Sequence, residues 1–370
     1  MKIKKRDGKI VDFDVNKIKI AMEKAFNSVD EKIDEEKLFE MAKNIENNIR
    51  ESLIKGHIIT VEEVQDLVEL ALIDANFYKV VKSFILYRAK HTKSRKVIED
   101  FEKYIKDEDT ISILRDIQKK YKGLNYDIEL IYNKFISFVK NDMTEDEYLD
   151  ILTKASSELT SKEAPDFEYI SSKFLRKRVQ NDIDRKCNQL EIFSYLDKFN
   201  YFVKASLYGK YMKEEYSEKE IIELGEYIDN KRDDLLTFSS LDLIVKRYAV
   251  KDNFGHILET PQEMFMGIAM HLAIPEKEKK VEFAKRLYDI LSKLKLTMAT
   301  PTMSNARRPF HQLSSCFIDT VPDSLDGIYR SIDNFAQVSK HGGGMGLYMG
   351  KIRATGSDRS EEDKDESLRS

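Results

Sequence analysis

Two stretches of this chain hold residue types that can act on a ligand. The richer one runs from Leu296 to Ser357. It contains Cys316, one of only two cysteines, directly behind Ser314 and Ser315, and the chain's one glycine run, Gly342-Gly343-Gly344 followed by Gly346. A thiol offers redox or nucleophilic chemistry, and small, polar, turn-forming residues let a backbone approach a ligand closely. Each signal alone is ambiguous. A single cysteine in an apolar strand is commonly a core residue, a glycine run is commonly a loop device, and Arg353 by itself says nothing. The second stretch is Lys5-Arg6-Asp7-Gly8 near the N-terminus. A glycine turn between cationic side chains can hold a triphosphate, whose charge the cations and free amides offset. The same four letters also describe an ordinary surface turn. The other cysteine, Cys187, lies among charged residues with no Cys or His at ligand spacing beside it, and reads as an inert thiol.

Composition bounds what surrounds these stretches. At 370 residues with 41% hydrophobic content, two or three domains with real cores are expected. Charged residues, 35% of the chain, alternate in sign along helical faces and describe solvated surface. A net charge of -4 makes no electrostatic case for nucleic acid. Two distant cysteines argue against a disulfide framework and for a reducing compartment. No apolar run reaches membrane-spanning length, and the basic N-terminus has no apolar core behind it. The expected setting is cytoplasmic, with no membrane partner and no metal site.

The elements that must position the chemistry are mostly helical. Residues 1–13 pattern as a β-hairpin turning at Arg6-Asp7-Gly8-Lys9. Helices are expected from about Asp14, from Asp34 to Leu53, from Thr60 (where Glu63 completes a capping box) and from Phe77 to Ala89. A charged helical connector follows from Lys96 to Asp107. Met143-Thr144-Glu145-Asp146-Glu147-Tyr148 echoes Ile59-Thr60-Val61-Glu62-Glu63-Val64. Residues 108–182 therefore read either as a second, degenerate copy of the first unit without its glycine turn or as a chance likeness of amphipathic helices. Residues 183–295 are helical, with an apolar helix after Glu259-Thr260-Pro261 and another from Pro275 to Leu294. Leu294–Thr300 patterns as a buried strand, Thr302–Ala306 as a loop, Leu313–Ile318 as a second strand, and Ser324–Ser339 as a helix. The hydrophilic tail 358–370 is expected to be disordered.

The first 95 residues resemble the ATP-cone, the regulatory nucleotide-binding domain of ribonucleotide reductases. The likeness rests on Lys5-Arg6-Asp7-Gly8, the entry from Phe13 to Lys17, and Thr60. It implies that Lys5, Arg6, Lys17 and Thr60 contact an allosteric ATP or dATP. Val11 and Val64 stand where some members carry polar nucleotide contacts, which leaves open which of the two binds. From "ATPTMSNA" through "QLSSC", "DSLDGI" and "GGGMGL" to "GKIRATGS", the C-terminal stretch is similar to the opening of the catalytic barrel of the same family, in order and spacing. The fold expected is a mainly α N-terminal region followed by the first strands of a ten-stranded α/β barrel. The expected boundaries are a cone to 95, a connector and cone-like unit to 182, a helical region to 295 and the start of the barrel at 296.

That resemblance implies the chemistry. Cys316 would be one of two thiols that reduce the ribose of a ribonucleoside diphosphate. Thr300, Ser315 and Gly344 would contact the substrate. Asp323, Ser324, Leu325 and Arg353 would hold a specificity effector at an α homodimer interface. The implied partners are a radical-generating β subunit, which would carry the metallocofactor, a thioredoxin- or glutaredoxin-type reductant, and a C-terminal fragment of the same subunit. No second reducing cysteine follows Cys316, so a split or truncated subunit, inactive without that fragment, is the expectation. A regulatory protein that uses only the cone to sense nucleotides is the competing reading.

Overall fold

The computed structural model describes residues 1–5, 8–54, 56–121, 123–140 and 142–357. The expected contact Arg6 and the expected disordered tail lie outside the described residues. The chain divides into two compact units. The first spans Met1–Lys106 together with Asp127–Glu129, and the second the remainder.

The first unit opens with the antiparallel hairpin β1 (Lys2–Lys4) and β2 (Ile10–Asp12), in which Ile3 faces Val11. Gly8 takes φ +81, a left-handed conformation that glycine adopts without steric cost, so the tight turn falls there. Four helices follow: α1 (Val15–Asn27), α2 (Glu35–Ile54), α3 (Val61–Asp74) and α4 (Tyr78–Glu102). Each buries one apolar stripe, and Met22, Phe26, Leu38, Ile45, Val68 and Leu72 meet in a common core. The amide of Lys4 donates to the Ile59 carbonyl at 2.9 Å and ties the hairpin to the start of α3. One expectation fails here. Helix α4 does not stop at Ala89 but runs 25 residues to Glu102, absorbing most of the expected connector. No Gly or Pro interrupts it, and Val97, Ile98 and Phe101 give its last turns their own buried face.

The second unit is helical for most of its length. It contains α5 (Glu108–Lys120), α6 (Ile128–Ile136) from Leu130 onward, α7 (Glu145–Ser157), α8 (Phe167–Gln189), α9 (Tyr195–Lys204), α10 (Lys210–Glu215), α11 (Glu218–Glu226) and α12 (Phe238–Leu243). Next come α13 (Pro261–Ala273) and α14 (Lys280–Ser292). Helix α13 is nearly all buried and forms the axis of the core. Thr260 caps it, Pro261 occupies its first turn with a φ already suited to a helix, and Glu263 closes a capping box. Ile274–Lys279 is a 3-10 turn rather than the start of the helix expected from Pro275.

The C-terminal stretch holds α15 (Thr300–Asn305), β3 (Cys316–Thr320), α16 (Leu325–Lys340) and β4 (Gly344–Tyr348). Strands β3 and β4 are parallel, joined through α16, with Cys316 opposite Gly344 and Thr320 opposite Tyr348. The strand expected at Leu294–Thr300 is absent. Leu294 is left-handed at φ 55, and Pro301 starts a short helix where a strand end and a loop were expected. The strand expected from Leu313 begins only at Cys316, because the Gln312 side chain accepts the Ser314 amide and makes a local turn there.

Candidate functional site

In the first unit, the hairpin, α1, α3 and α4 enclose a cavity of about 550 Å³. That volume is within the range of small-molecule sites, roughly 300–1,000 Å³. Val11, Val64 and Phe84 supply apolar wall, and Lys5, Lys17 and Arg88 bring positive charge to it. The hairpin sets the Lys5 backbone, whose carbonyl accepts the Gly8 amide at 3.0 Å. Arg88 is held by Glu62, Asp66 and Glu69 at 3.0, 2.5 and 2.9 Å. Its part in the cavity was not legible in the sequence, where it looks like one member of a basic run.

Thr60 does not line this cavity. It caps α3: its hydroxyl accepts the Glu63 amide at 3.2 Å and donates to the Glu63 carboxylate at 2.8 Å. The Thr60 amide, the Thr60 hydroxyl and His57 together lower Glu63 from its ordinary 4.5 to about 2. Thr60→Ala should therefore destabilise the first unit by about 1 kcal/mol, read as a shift in its urea midpoint. Because the folded pKa is depressed, the contribution of Glu63 is present above about pH 4.5 and is lost as pH falls toward 2. The cost of Thr60→Ala should shrink over that window.

In the second unit, Cys316 opens β3 and is exposed. Its sulfur lies 3.5 Å from the Ser315 hydroxyl, and the Ser315 carbonyl accepts the Gly344 amide at 2.7 Å. Residues in register on neighbouring strands share a face, and side chains alternate along each strand. Phe317 and Met345 therefore turn to the half-buried face, while Cys316, Ile318, Gly344 and Gly346 line the exposed one. A Cβ on Gly344 would meet only the Ser315 carbonyl oxygen, at 3.6 Å. Glycine at 344 thus leaves the space beside the thiol open. At Gly343 a Cβ would collide with Val338 and Phe317 at 2.7 and 2.8 Å, and Gly342 has φ +81. Those two glycines serve packing and the turn.

Thr300 begins α15, with its hydroxyl 3.3 Å from that of Tyr248. It lines a cleft of about 460 Å³ together with Asn305, Arg308, Phe310, Lys340 and His341. At the far end of the parallel pair, Arg353 Nε donates to Asp323 Oδ2 at 2.6 Å. Ser324 caps α16 by accepting the Gly327 amide, and Leu325 is exposed beside it. The structure thus joins Asp323, Ser324 and Arg353 in one cluster and Ser315, Cys316 and Gly344 in another. Strand β3 separates the two by roughly 13 Å at ~3.3 Å per residue.

Cys187 is no partner for Cys316. It is buried against Ile183 and Ile192, and burial raises its pKa. A buried ionic knot that no local sequence pattern marks holds this region together. Glu259 and Arg307, both 0% exposed, pair at 2.5 and 2.8 Å. Tyr208 donates to Glu259 at 2.5 Å, the Val250 amide donates to it at 2.9 Å, and Arg307 donates to the carbonyls of Met303 and Tyr248. Burial, then the Glu259 charge, push the Tyr208 phenol well above its ordinary pKa. This knot clamps the segment from α15 to β3 onto the helical core. The two ionic partners are 48 residues apart, and no local pattern links them.

Comparison with known proteins places these features. Residues 1–93 match the ATP cone domain, residues 234–311 the ribonucleotide reductase all-alpha domain, and residues 314–367 the ribonucleotide reductase barrel domain. The barrel match continues ten residues past Ser357, where the resemblance was expected to end, and the all-alpha match takes in α15. Among relatives, the ribonucleoside-diphosphate reductase subunit alpha of Treponema pallidum is 44% identical over 359 residues, covering 96% of this chain and 42% of that protein. The subunit alpha of Enterobacteria phage T4 is 30% identical over 250 residues, covering 67% of this chain and 33% of that protein. Ribonucleoside-diphosphate reductase 1 subunit alpha of Escherichia coli K12 is 27% identical over 256 residues, covering 65% and 33%.

A cone followed by a helical domain and the first parallel strands of a barrel, matched in that order, defines a ribonucleotide reductase large-subunit architecture. The chain belongs to the ribonucleotide reductase α-subunit family and represents its N-terminal part: cone, all-alpha domain and start of the barrel. It spans less than half the length of these relatives. Among the described residues, no helix is long and apolar enough to cross a membrane, and no group of three or more His, Cys, Asp or Glu is arranged to hold a metal ion.

Proposed function

We propose that this chain provides the regulatory cone and one wall of the active site of a cytoplasmic ribonucleoside-diphosphate reductase. The observation that carries the reading is the exposed Cys316 thiol at the head of β3, with the Ser315 hydroxyl beside it and the space over Gly344 left open. In the reaction, the ribose 2′-hydroxyl leaves as water and hydrogen takes its place. Two thiols supply two electrons and two protons and become a disulfide. Cys316 is one of them. The second thiol is supplied by the portion of the α subunit that lies beyond this chain's match to its relatives. Thr300 and Ser315 offer short hydroxyls to the substrate's diphosphate. A radical-generating β subunit carries the metallocofactor that initiates the chemistry, and a thioredoxin- or glutaredoxin-type protein restores the thiols.

Control is proposed at two places. The cone cavity suits ATP or dATP: its apolar wall fits a nucleoside, and Lys5, Lys17 and Arg88 face the phosphates. At the other end of β3, Asp323 and the Ser324-capped start of α16 receive a specificity effector, with Arg353 turning from Asp323 to its phosphates. Leu325, Tyr329, Ile332 and Phe335 leave an exposed apolar face on α16, which suits an α homodimer beside that site.

The test is reconstitution. The chain is mixed with a polypeptide covering the rest of the relatives' length and with a radical subunit, and deoxynucleotide formation is measured with and without ATP. Turnover stimulated by ATP supports the reading. No turnover with intact ATP binding would favour a protein that only senses nucleotides. Replacing Lys5 and Lys17 together by alanine should weaken ATP binding by at least about tenfold, as the loss of two charge-assisted contacts requires. Unchanged affinity in a titration would remove both from the phosphate site.

A further inference from the structure

We infer that His271 and His311 form a two-imidazole site for a divalent transition ion of the zinc, nickel or copper class, which clips the segment leading to Cys316 onto the helical core. The two histidines come from different elements. His271 is half-buried in the last turn of α13, and His311 is exposed in the segment between α15 and β3. Their rings lie 5.3 Å apart between centroids. A ligating nitrogen sits about 2.1 Å from such an ion and roughly 1.1 Å from its own ring centre, so two imidazoles on one tetrahedral ion have centroids roughly 5 Å apart. The observed separation matches that spacing. The hydrogen bonds also fix which nitrogen can ligate. At His311, Nδ1 lies 3.3 Å from the Pro309 carbonyl, which can only accept, so Nδ1 carries the proton. At His271, Nδ1 lies 2.7 Å from the Tyr211 hydroxyl. That hydroxyl donates its one proton to the Ala306 carbonyl at 3.0 Å, so its oxygen accepts from His271 Nδ1. Both rings therefore present the lone pair of Nε2. Ligating histidines are commonly held in this way: the far N–H goes to a carbonyl or another acceptor, which sets the tautomer and the ring orientation. Tyr211 adds packing, with its ring 5.5 Å from that of His271 and 4.7 Å from that of His311.

The donor set selects the ion and its strength of binding. Imidazole nitrogen suits zinc, nickel and copper, whereas magnesium and calcium take oxygen ligands. With two protein ligands, water fills the remaining positions, so the ion exchanges more readily than a structural zinc held by four side chains. Its effect is mechanical. A bridge from α13 to His311 fastens the chain shortly before Cys316 opens β3, next to the tie that Tyr211 makes to Ala306.

The experiment titrates zinc chloride into the full chain by calorimetry, in a Cys316→Ser background so that the exposed thiol does not compete. One saturable site per chain is expected. His311→Ala and His271→Asn should each weaken it about tenfold or more, and Tyr211→Phe, which keeps the ring but loses the hydroxyl, about tenfold. His341→Ala, which removes another imidazole of the same unit, should bind like the parent. Saturating zinc should raise the thermal midpoint of the parent and leave that of His311→Ala unchanged. Thermal unfolding without metal checks the fold of each variant, and the exposed His311 position decides the case if His271→Asn does not fold. No saturable binding, equal affinity in a folded His311→Ala variant, or displacement of zinc by a moderate excess of magnesium would overturn the inference.

Discussion

Replacing Arg307 by methionine should destabilise the second unit by about 3–5 kcal/mol, the cost of stranding a buried charge. Glu259 would remain fully buried, with only Tyr208 and the Val250 amide to answer it. The carbonyls of Met303 and Tyr248 would also lose their donor. Burial works against the Arg307 charge, but Glu259 outweighs it, so the guanidinium is held more tightly charged than usual. A double replacement, Arg307→Met with Glu259→Leu, should cost much less than the single one, because neither charge is left alone. Urea unfolding followed by tyrosine fluorescence measures both, as the chain has no tryptophan. A single variant no less stable than the double would show that the knot is not an ion pair of consequence. The expected effect reaches function as well. The Gly209 amide donates to the Arg307 carbonyl at 2.9 Å, so the segment leading to Cys316 is anchored at this point.

Cys316→Ser should abolish deoxynucleotide formation in the reconstituted reductase and leave ATP binding by the cone unchanged. Serine keeps the size and one hydrogen-bonding atom but cannot form a disulfide, so the two electrons have no source. Removing a group that takes part in the chemical step costs on the order of 10⁴-fold or more in kcat. A merely structural role predicts a different result: at an exposed strand position such a change is worth about half a kcal/mol in stability and little in rate. Residual turnover above about one per cent would therefore exclude Cys316 as the reductant. Unchanged thermal unfolding keeps the test clean.

The amphipathic elements were legible because they are local. Capping boxes at Thr60 and Thr144 form as their spacing requires, and at helical spacing α1 buries Ile18, Met22 and Phe26 and α3 buries Val64, Val68 and Leu72. The errors fall where tertiary context outweighs local pattern. Leu294–Thr300 is apolar enough for a strand, but a strand needs a hydrogen-bonded neighbour, and Pro301 favours a helix start. Helix α4 passes the end expected at Ala89 because Val97, Ile98 and Phe101 keep one face of its last turns buried.

The sequence by itself determined the order of domains, the thiol at 316 and the cationic glycine turn, since each is carried by residues close together in the chain. Only the tertiary structure decided what surrounds them. It showed that Gly344 clears the thiol while Gly343 serves packing, and that Thr60 caps a helix beside the cone cavity rather than lining it. It also showed that Arg353 closes on Asp323 and that Arg307 and Glu259 neutralise each other. The two ion pairs span 30 and 48 residues of chain, beyond the reach of any local pattern, and a charge removed from water must find its partner wherever the fold has placed one.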